Sequence, residues 1–281
     1  MDKKQANISK KEICIFANPS FQSPKAKISE LTALNYLDRK VMRNLDLSHL
    51  PGTLDEANEL SKFSISMGYS VNSYIGQNAS EENLCKIISP TILHLATHGF
   101  FFPSGLESNS KTNLDFLKKD RSNRLLSNPM HRSGLALAGA KNTLNQWELD
   151  NFPSPDNDGI FNAQEASELD LSNTWLTVLS ACETGSGVIQ SGEGVLGLRR
   201  AFTMAGTQNL LLTLWPVDDG FTKDFMVSFY KEALKTGNAP KAMAKVQKDW
   251  LIKLREERSV SQAVKLAGPF VLTFRGNPEL N

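Results

Sequence analysis

The chain has 281 residues, enough for one large domain or two small ones and for a sizeable core. Lysine and arginine number 31 against 30 aspartate and glutamate, a net charge of +1, which removes the electrostatic case for a dedicated nucleic-acid binder. Glycine and proline are in ordinary supply and no apolar run reaches membrane-spanning length, so collagen-like, low-complexity and transmembrane readings fail.

Residues 1–11 are polar and basic and read as a flexible arm. The apolar piece behind them, Ile13–Ala17, is too short for a signal peptide. Cys14, Cys85 and Cys182 form neither a disulfide framework nor a zinc-type pair, which points to a soluble protein of a reducing compartment, the cytoplasm. Cys14 and Cys85 read as small buried hydrophobes.

Strands are expected at Glu12–Ala17, Ser70–Ile75, Thr91–Thr97, Leu135–Ala138, Trp175–Ser180, Asn209–Trp215 and Phe270–Phe274. Several are apolar almost throughout, as strands covered on both faces should be. Helix signals fall between them. Thr53 and Glu56 have capping-box spacing, and Leu54, Ala57, Leu60 and Phe63 give roughly helical spacing behind Thr53. Glu193–Ala205 is periodic and stopped by Gly206, and Phe221–Leu234 has Gly237 behind it. Pro240 suits a first helical turn ahead of Met243, Val246, Trp250 and Leu254. The alternation predicts an α/β fold with a mostly parallel sheet. Residues 103–133 read as a surface insertion within a single domain spanning 12–278, with Ser104–Arg132 exposed and mobile. Asn151–Gly159 reads as an exposed loop whose acidic cluster, Asp156 to Asp158, is a solvated turn without calcium-loop spacing.

Two strand ends carry chemistry. Trp175–Ser180 runs out just before Cys182, and Thr91–Thr97 runs into His98-Gly99. Ligands of open α/β sheets bind at the carboxyl ends of strands. A neutral imidazole can take a thiol proton and return it to a leaving amine, and a glycine beside it lets a substrate approach the backbone. His98 and Cys182 are 84 residues apart, so they meet only if their strands lie side by side. His94 reads as a hydrogen-bonded core histidine, on the same side as His98 if the strand stays extended. His49 and His131 are given no role.

The motifs in order are Asn18–Ser20, LPGTLDEANEL at Leu50–Leu60, HLATHGFF within 94–102, SGLALAGA at Ser133–Ala140 and DGIFNAQEASELDL at Asp158–Leu171. LSACETGSG at Leu179–Gly187, GEGVLGLRRAFTMAG at Gly192–Gly206, LTLWPVDD at Leu212–Asp219 and GPFVLTFRGNP at Gly268–Pro278 follow. This series resembles the CHAT family of caspase-like cysteine peptidases, relatives of caspases, separases and metacaspases. The resemblance implies a caspase-like three-layer sandwich, its sheet of about six strands flanked by helices. It implies a cysteine endopeptidase with His98 as base, Cys182 as nucleophile and an acyl-enzyme intermediate. The backbone N–H groups of Gly99 and Cys182 are the expected oxyanion donors. Ser180, Trp215, Pro216, Val217, Asp218 and Asp219 are the expected substrate-binding residues. A protein substrate and a TPR-repeat or other regulatory partner are implied; no metal or other cofactor is. Ser180 departs from caspases, which carry Gln there, and from metacaspases, which carry Asp, so neither P1 preference transfers. Glu183–Gly192, rich in glycine, is expected to be a gating loop.

Gly192–Gly197 fits a dinucleotide fingerprint, but about a dozen residues separate it from the strand that should precede it. No phosphate-binding P-loop and no nucleophile elbow occurs. The remaining rival is a catalytically inactive caspase-like scaffold or interaction module.

Overall fold

The computed structural model describes residues 11–22, 47–101, 130, 133–148, 157–183, 193–215 and 217–276. Of residues 101, 147–148, 182–183 and 193–195 it describes the backbone alone. Nearly all of the expected N-terminal arm, the insertion with His131, most of the gating loop, Pro216 and residues 151–156 of the exposed loop lie outside these residues.

The main sheet has six strands in the order β10-β9-β7-β3-β1-β2. They are β1 (Glu12–Pro19), β2 (Ser70–Gly76), β3 (Ile92–Ala96), β7 (Leu176–Leu179), β9 (Asn209–Thr213) and β10 (Phe270–Phe274). All neighbours are parallel except β9 and β10. Chain order reverses at β1, with β2 on one flank and β3 on the other, the kind of switch point beside which ligands of open α/β sheets bind at the strands' carboxyl ends.

Side chains alternate across the sheet, and the two faces take different helices. Ile13, Ile15, Ile92, Val178 and Leu211 meet α1 (Pro51–Ser66), α6 (Asp219–Thr236), α7 (Ala239–Glu257) and α8 (Val260–Ala267) through Leu60, Phe225, Phe229, Met243 and Leu266. Cys14, Phe16, Leu93, Leu95 and Leu212 meet α2 (Glu81–Cys85), α4 (Ala163–Ser167) and α5 (Glu193–Ala205) through Leu84, Ala166, Ala201 and Phe202. The period of two therefore builds the expected three-layer sandwich.

A second, four-stranded sheet was not expected. Its order is β6-β5-β4-β8, from β4 (His98–Phe101), β5 (Ser133–Ala136), β6 (Ile160–Asn162) and β8 (Cys182–Glu183). α3 (Ala140–Glu148) follows β5, and its Ala140 and Leu144 pack with Phe100, Ile160, Phe21 and Leu47 in a third small core. β5 lies two residues earlier than its predicted span.

Four local expectations are corrected. Leu50, not Thr53, caps α1, with Pro51 in its first turn; Thr53 instead donates to the Leu50 carbonyl and accepts from the Asn18 N–H. Thr97 interrupts the extended strand and donates to the Ala136 carbonyl, so the same-side relation of His94 and His98 does not apply. Cys14 is buried as expected, but Cys85 is exposed. Asp158 is buried, not a solvated turn residue. Elsewhere the helix signals hold: α5 spans the predicted residues, and α6 ends at Gly237 with φ of 65°, a left-handed position that suits glycine.

Candidate functional site

β3 and β7 pair in the main sheet as Leu95 with Leu179. Both strands then bend and pair again as β4 and β8, with His98 opposite Cys182 and Gly99 opposite Glu183. The register is unchanged across the bend. Parallel strands lie about 4.8 Å apart, so the two backbones are brought side by side at the carboxyl edge of the sheet. Gly99 is also in register with Leu135 of β5, which builds it into a ladder on both sides.

The His98 ring is 5% exposed, and its Nε2 lies 2.8 Å from the Ser48 carbonyl. A carbonyl only accepts, so Nε2 donates and carries the proton. The Phe21 ring stands 5.3 Å from the imidazole, centroid to centroid, and fills the space beside it. Ser48 escapes sequence reasoning because a main-chain carbonyl leaves no signature in residue type.

Behind His98 and Cys182 along their strands lies a buried polar group that links four elements. Ser180 Oγ donates to Glu56 Oε2 at 3.0 Å. Glu56 Oε1 stands 3.1 Å from His94 Nε2, and His94 Nδ1 is 3.0 Å from the Tyr230 hydroxyl. All four residues are buried, Glu56 at 2% exposure and His94 at 0%. The Glu56–His94 approach is close, yet among the described residues neither Glu56 Oε1 nor His94 Nε2 has a hydrogen-bond partner of good geometry. Burial, then the Glu56 carboxylate, pushes the Tyr230 hydroxyl well above its usual range. His94 is the satisfied core histidine expected of it on its Nδ1 side. In the sequence Glu56 reads only as a capping residue; its place in a helix that packs on β1, β2 and α6 is what buries it.

The expected substrate-binding residues are spread over different roles. Ser180 is buried on Glu56. Trp215 Nε1 donates to the Lys265 carbonyl at 3.0 Å, and Val217 packs on the main core. Asp218 caps α6, its carboxylate accepting from the Phe221 N–H at 3.1 Å. Asp219 starts that helix against Gly52, where a side chain on Gly52 would come within 2.5 Å of the Asp219 Cβ. Partial burial, then the Asp218 and Glu56 carboxylates, push the Asp219 carboxyl up, and His98 opposes that shift. Asp219, Glu56 and His98 thus share one electrostatic neighbourhood.

A second acidic group lies away from this edge. Burial pushes Asp158 up to about 8 and, with the carboxylates of Asp158 and Glu165, drives Glu81 well above the usual range. Among the described residues no group of three histidine, cysteine or acidic side chains could hold a metal ion, and no helix is long and apolar enough to cross a membrane.

A family model described as the CHAT domain matches residues 2–265. Human tetratricopeptide repeat protein 28 is 33% identical over 89 residues, 32% of this chain and 4% of that protein. The mouse protein of the same name is 34% identical over 73 residues, 26% of this chain and 3% of that one. The chain therefore spans only a small fraction of the curated relatives it matches.

Proposed function

Since the chain belongs to the CHAT-domain family, whose caspase-like fold its mixed six-stranded sheet shares, we propose that it is a cysteine endopeptidase working through His98 and Cys182. The observation that carries this reading is their register: the two residues stand opposite each other on adjacent parallel strands.

A neutral His98 ring that donates from Nε2 to Ser48 has its basic lone pair on Nδ1. That nitrogen takes the Cys182 proton, and the thiolate attacks the scissile carbonyl. The Cys182 backbone N–H stabilises the oxyanion. The tetrahedral intermediate collapses, His98 returns the proton to the leaving amine, and the acyl-enzyme forms. Water, deprotonated by the same nitrogen, then releases the acid and restores the thiol. The segment Trp215–Asp219 borders the substrate, which adds along the site as an extended strand.

The similarity to tetratricopeptide repeat protein 28 supports a helical-repeat protein as regulatory partner, and cysteine usage supports the cytoplasm as location. The test is peptide-library cleavage by the purified protein with Cys182→Ala as the blank. Cleavage that vanishes in the blank supports the reading. A wild-type protein that cleaves nothing and whose Cys182 resists electrophilic thiol probes overturns it in favour of the scaffold.

A further inference from the structure

Each part of the proposed site is joined to Glu56 or to its histidine partner. Ser180, two residues before Cys182, donates to Glu56. His94, four residues before His98 and on the strand that leads to it, lies against the other carboxylate oxygen. Glu56 itself sits on α1, and the segment entering α1 supplies the Ser48 carbonyl that holds the His98 ring. Tyr230, bound to His94, belongs to α6, whose first residue is Asp219.

We propose that Glu56 is a positioning residue that fixes the alignment of His98 with Cys182 and favours the imidazolium–thiolate form of the pair; the inference rests on the peptidase reading. Two physical effects support it. A buried carboxylate with a histidine, a serine and a tyrosine around it is a poor way to gain stability, because desolvation offsets much of the attraction; such groups serve better to fix one arrangement. Here the arrangement fixed is that of β3 against β7, the two strands that run on to His98 and Cys182. A misplacement of about 1 Å in a catalytic pair costs on the order of 100-fold in rate. The second effect is on the Cys182 thiol. From the described elements packed around it, Glu56 faces His94 on β3, which is bound to Tyr230 on α6, and Ser180 after β7, with Asp219 at the start of α6 nearby, so its loss releases both strands that run on to the pair. An imidazolium held in register beside Cys182 favours the thiolate, so a lost alignment raises the thiol midpoint.

The experiment is Glu56→Gln in a Cys85→Ser background, which removes the exposed competing thiol. Glutamine keeps the volume and an acceptor for Ser180 but removes the charge. Two readouts are taken: the pH midpoint of Cys182 alkylation by iodoacetamide, and kcat and KM on a cleaved peptide. The expected result is a midpoint raised by about one unit, hence about tenfold slower alkylation near neutral pH, and kcat lowered at least tenfold with KM within twofold. A folded Glu56→Gln protein with the parental midpoint and kcat overturns the proposal and leaves Glu56 a core residue. Should Glu56→Gln melt below the assay temperature, Ser180→Ala decides, since it cuts Glu56 from β7 and keeps the charge: lowered kcat supports the proposal and unchanged kcat overturns it. A parental protein with an ordinary thiol midpoint and no cleavage overturns the peptidase reading itself, a different result from a low midpoint that Glu56→Gln fails to move.

Discussion

His98 and Cys182 stand opposite each other in register on β4 and β8, although 84 residues separate them. The pairing is inherited: β3 and β7 set it at Leu95 and Leu179, and both strands carry it through their bends without slipping. A register slip of one residue would move the two apart and turn their side chains over, so the alignment depends on the buried strands behind it.

His98→Ala and Cys182→Ala are each expected to lower peptide cleavage by about 10³-fold or more, with far-UV circular dichroism unchanged. Cleavage at a parental rate by either purified variant would remove the dyad.

Gly52→Ala places a methyl group against Asp219, 2.5 Å from its Cβ. Because α1 and α6 both pack on the main core, the start of α6 must yield. Alanine also suits a helix better than glycine, so the melting temperature should change little while kcat/KM falls about tenfold. Thermal melts and steady-state kinetics on the same preparation check it.

Phe225 and Phe270 stack with centroids 3.9 Å apart, joining α6 to the edge strand β10. Both are buried. Phe225→Ala is expected to cost about 3–5 kcal/mol, the range for a large aromatic deleted from a core. Urea titration measures it; a loss under about 1 kcal/mol would mean the contact is not part of a tight core.

Asp158 carries a proton up to about pH 8 in the folded protein, because burial disfavours its charge, against 3.8 when unfolded. Between those values the folded state holds the extra proton, so the group's effect on stability worsens as pH rises and levels off above about 8. Asp158→Asn keeps an acceptor for the Ile160 N–H and removes the titration. Its melting temperature should gain on the parent steadily from about pH 5 to about pH 8 and then hold. A constant difference across that range would show that Asp158 is not the group responsible.

The main sheet is legible in the sequence because buried parallel strands are apolar on both faces: β1, β3 and β7 lie nearly where they are expected, and the antiparallel edge strand β10, a run of apolar and β-branched residues, lies where it is expected. The small sheet is not, since β6 has three residues and β8 two, too few for a period of two to register. His98 and Cys182 are legible as polar residues closing apolar runs. Ser48 acts through its carbonyl, which any residue would supply. Glu56 obeys the spacing of a cap while its burial depends on tertiary contacts. Cys85 and Asp158 depart from their sequence reading for one reason: short helices and turns carry too little periodicity to say which side faces the core.

The bends at Thr97 and at Ser180-Ala181 divide the molecule mechanically. Behind them His94 and Glu56 are clamped in the main core; ahead of them the histidine and cysteine backbones ride on the same four-stranded platform with β5 and β6. A push on that platform would tilt the two residues together, as teeth on one comb. Their separation would survive, and what would change is their aim toward Ser48 and Asp219.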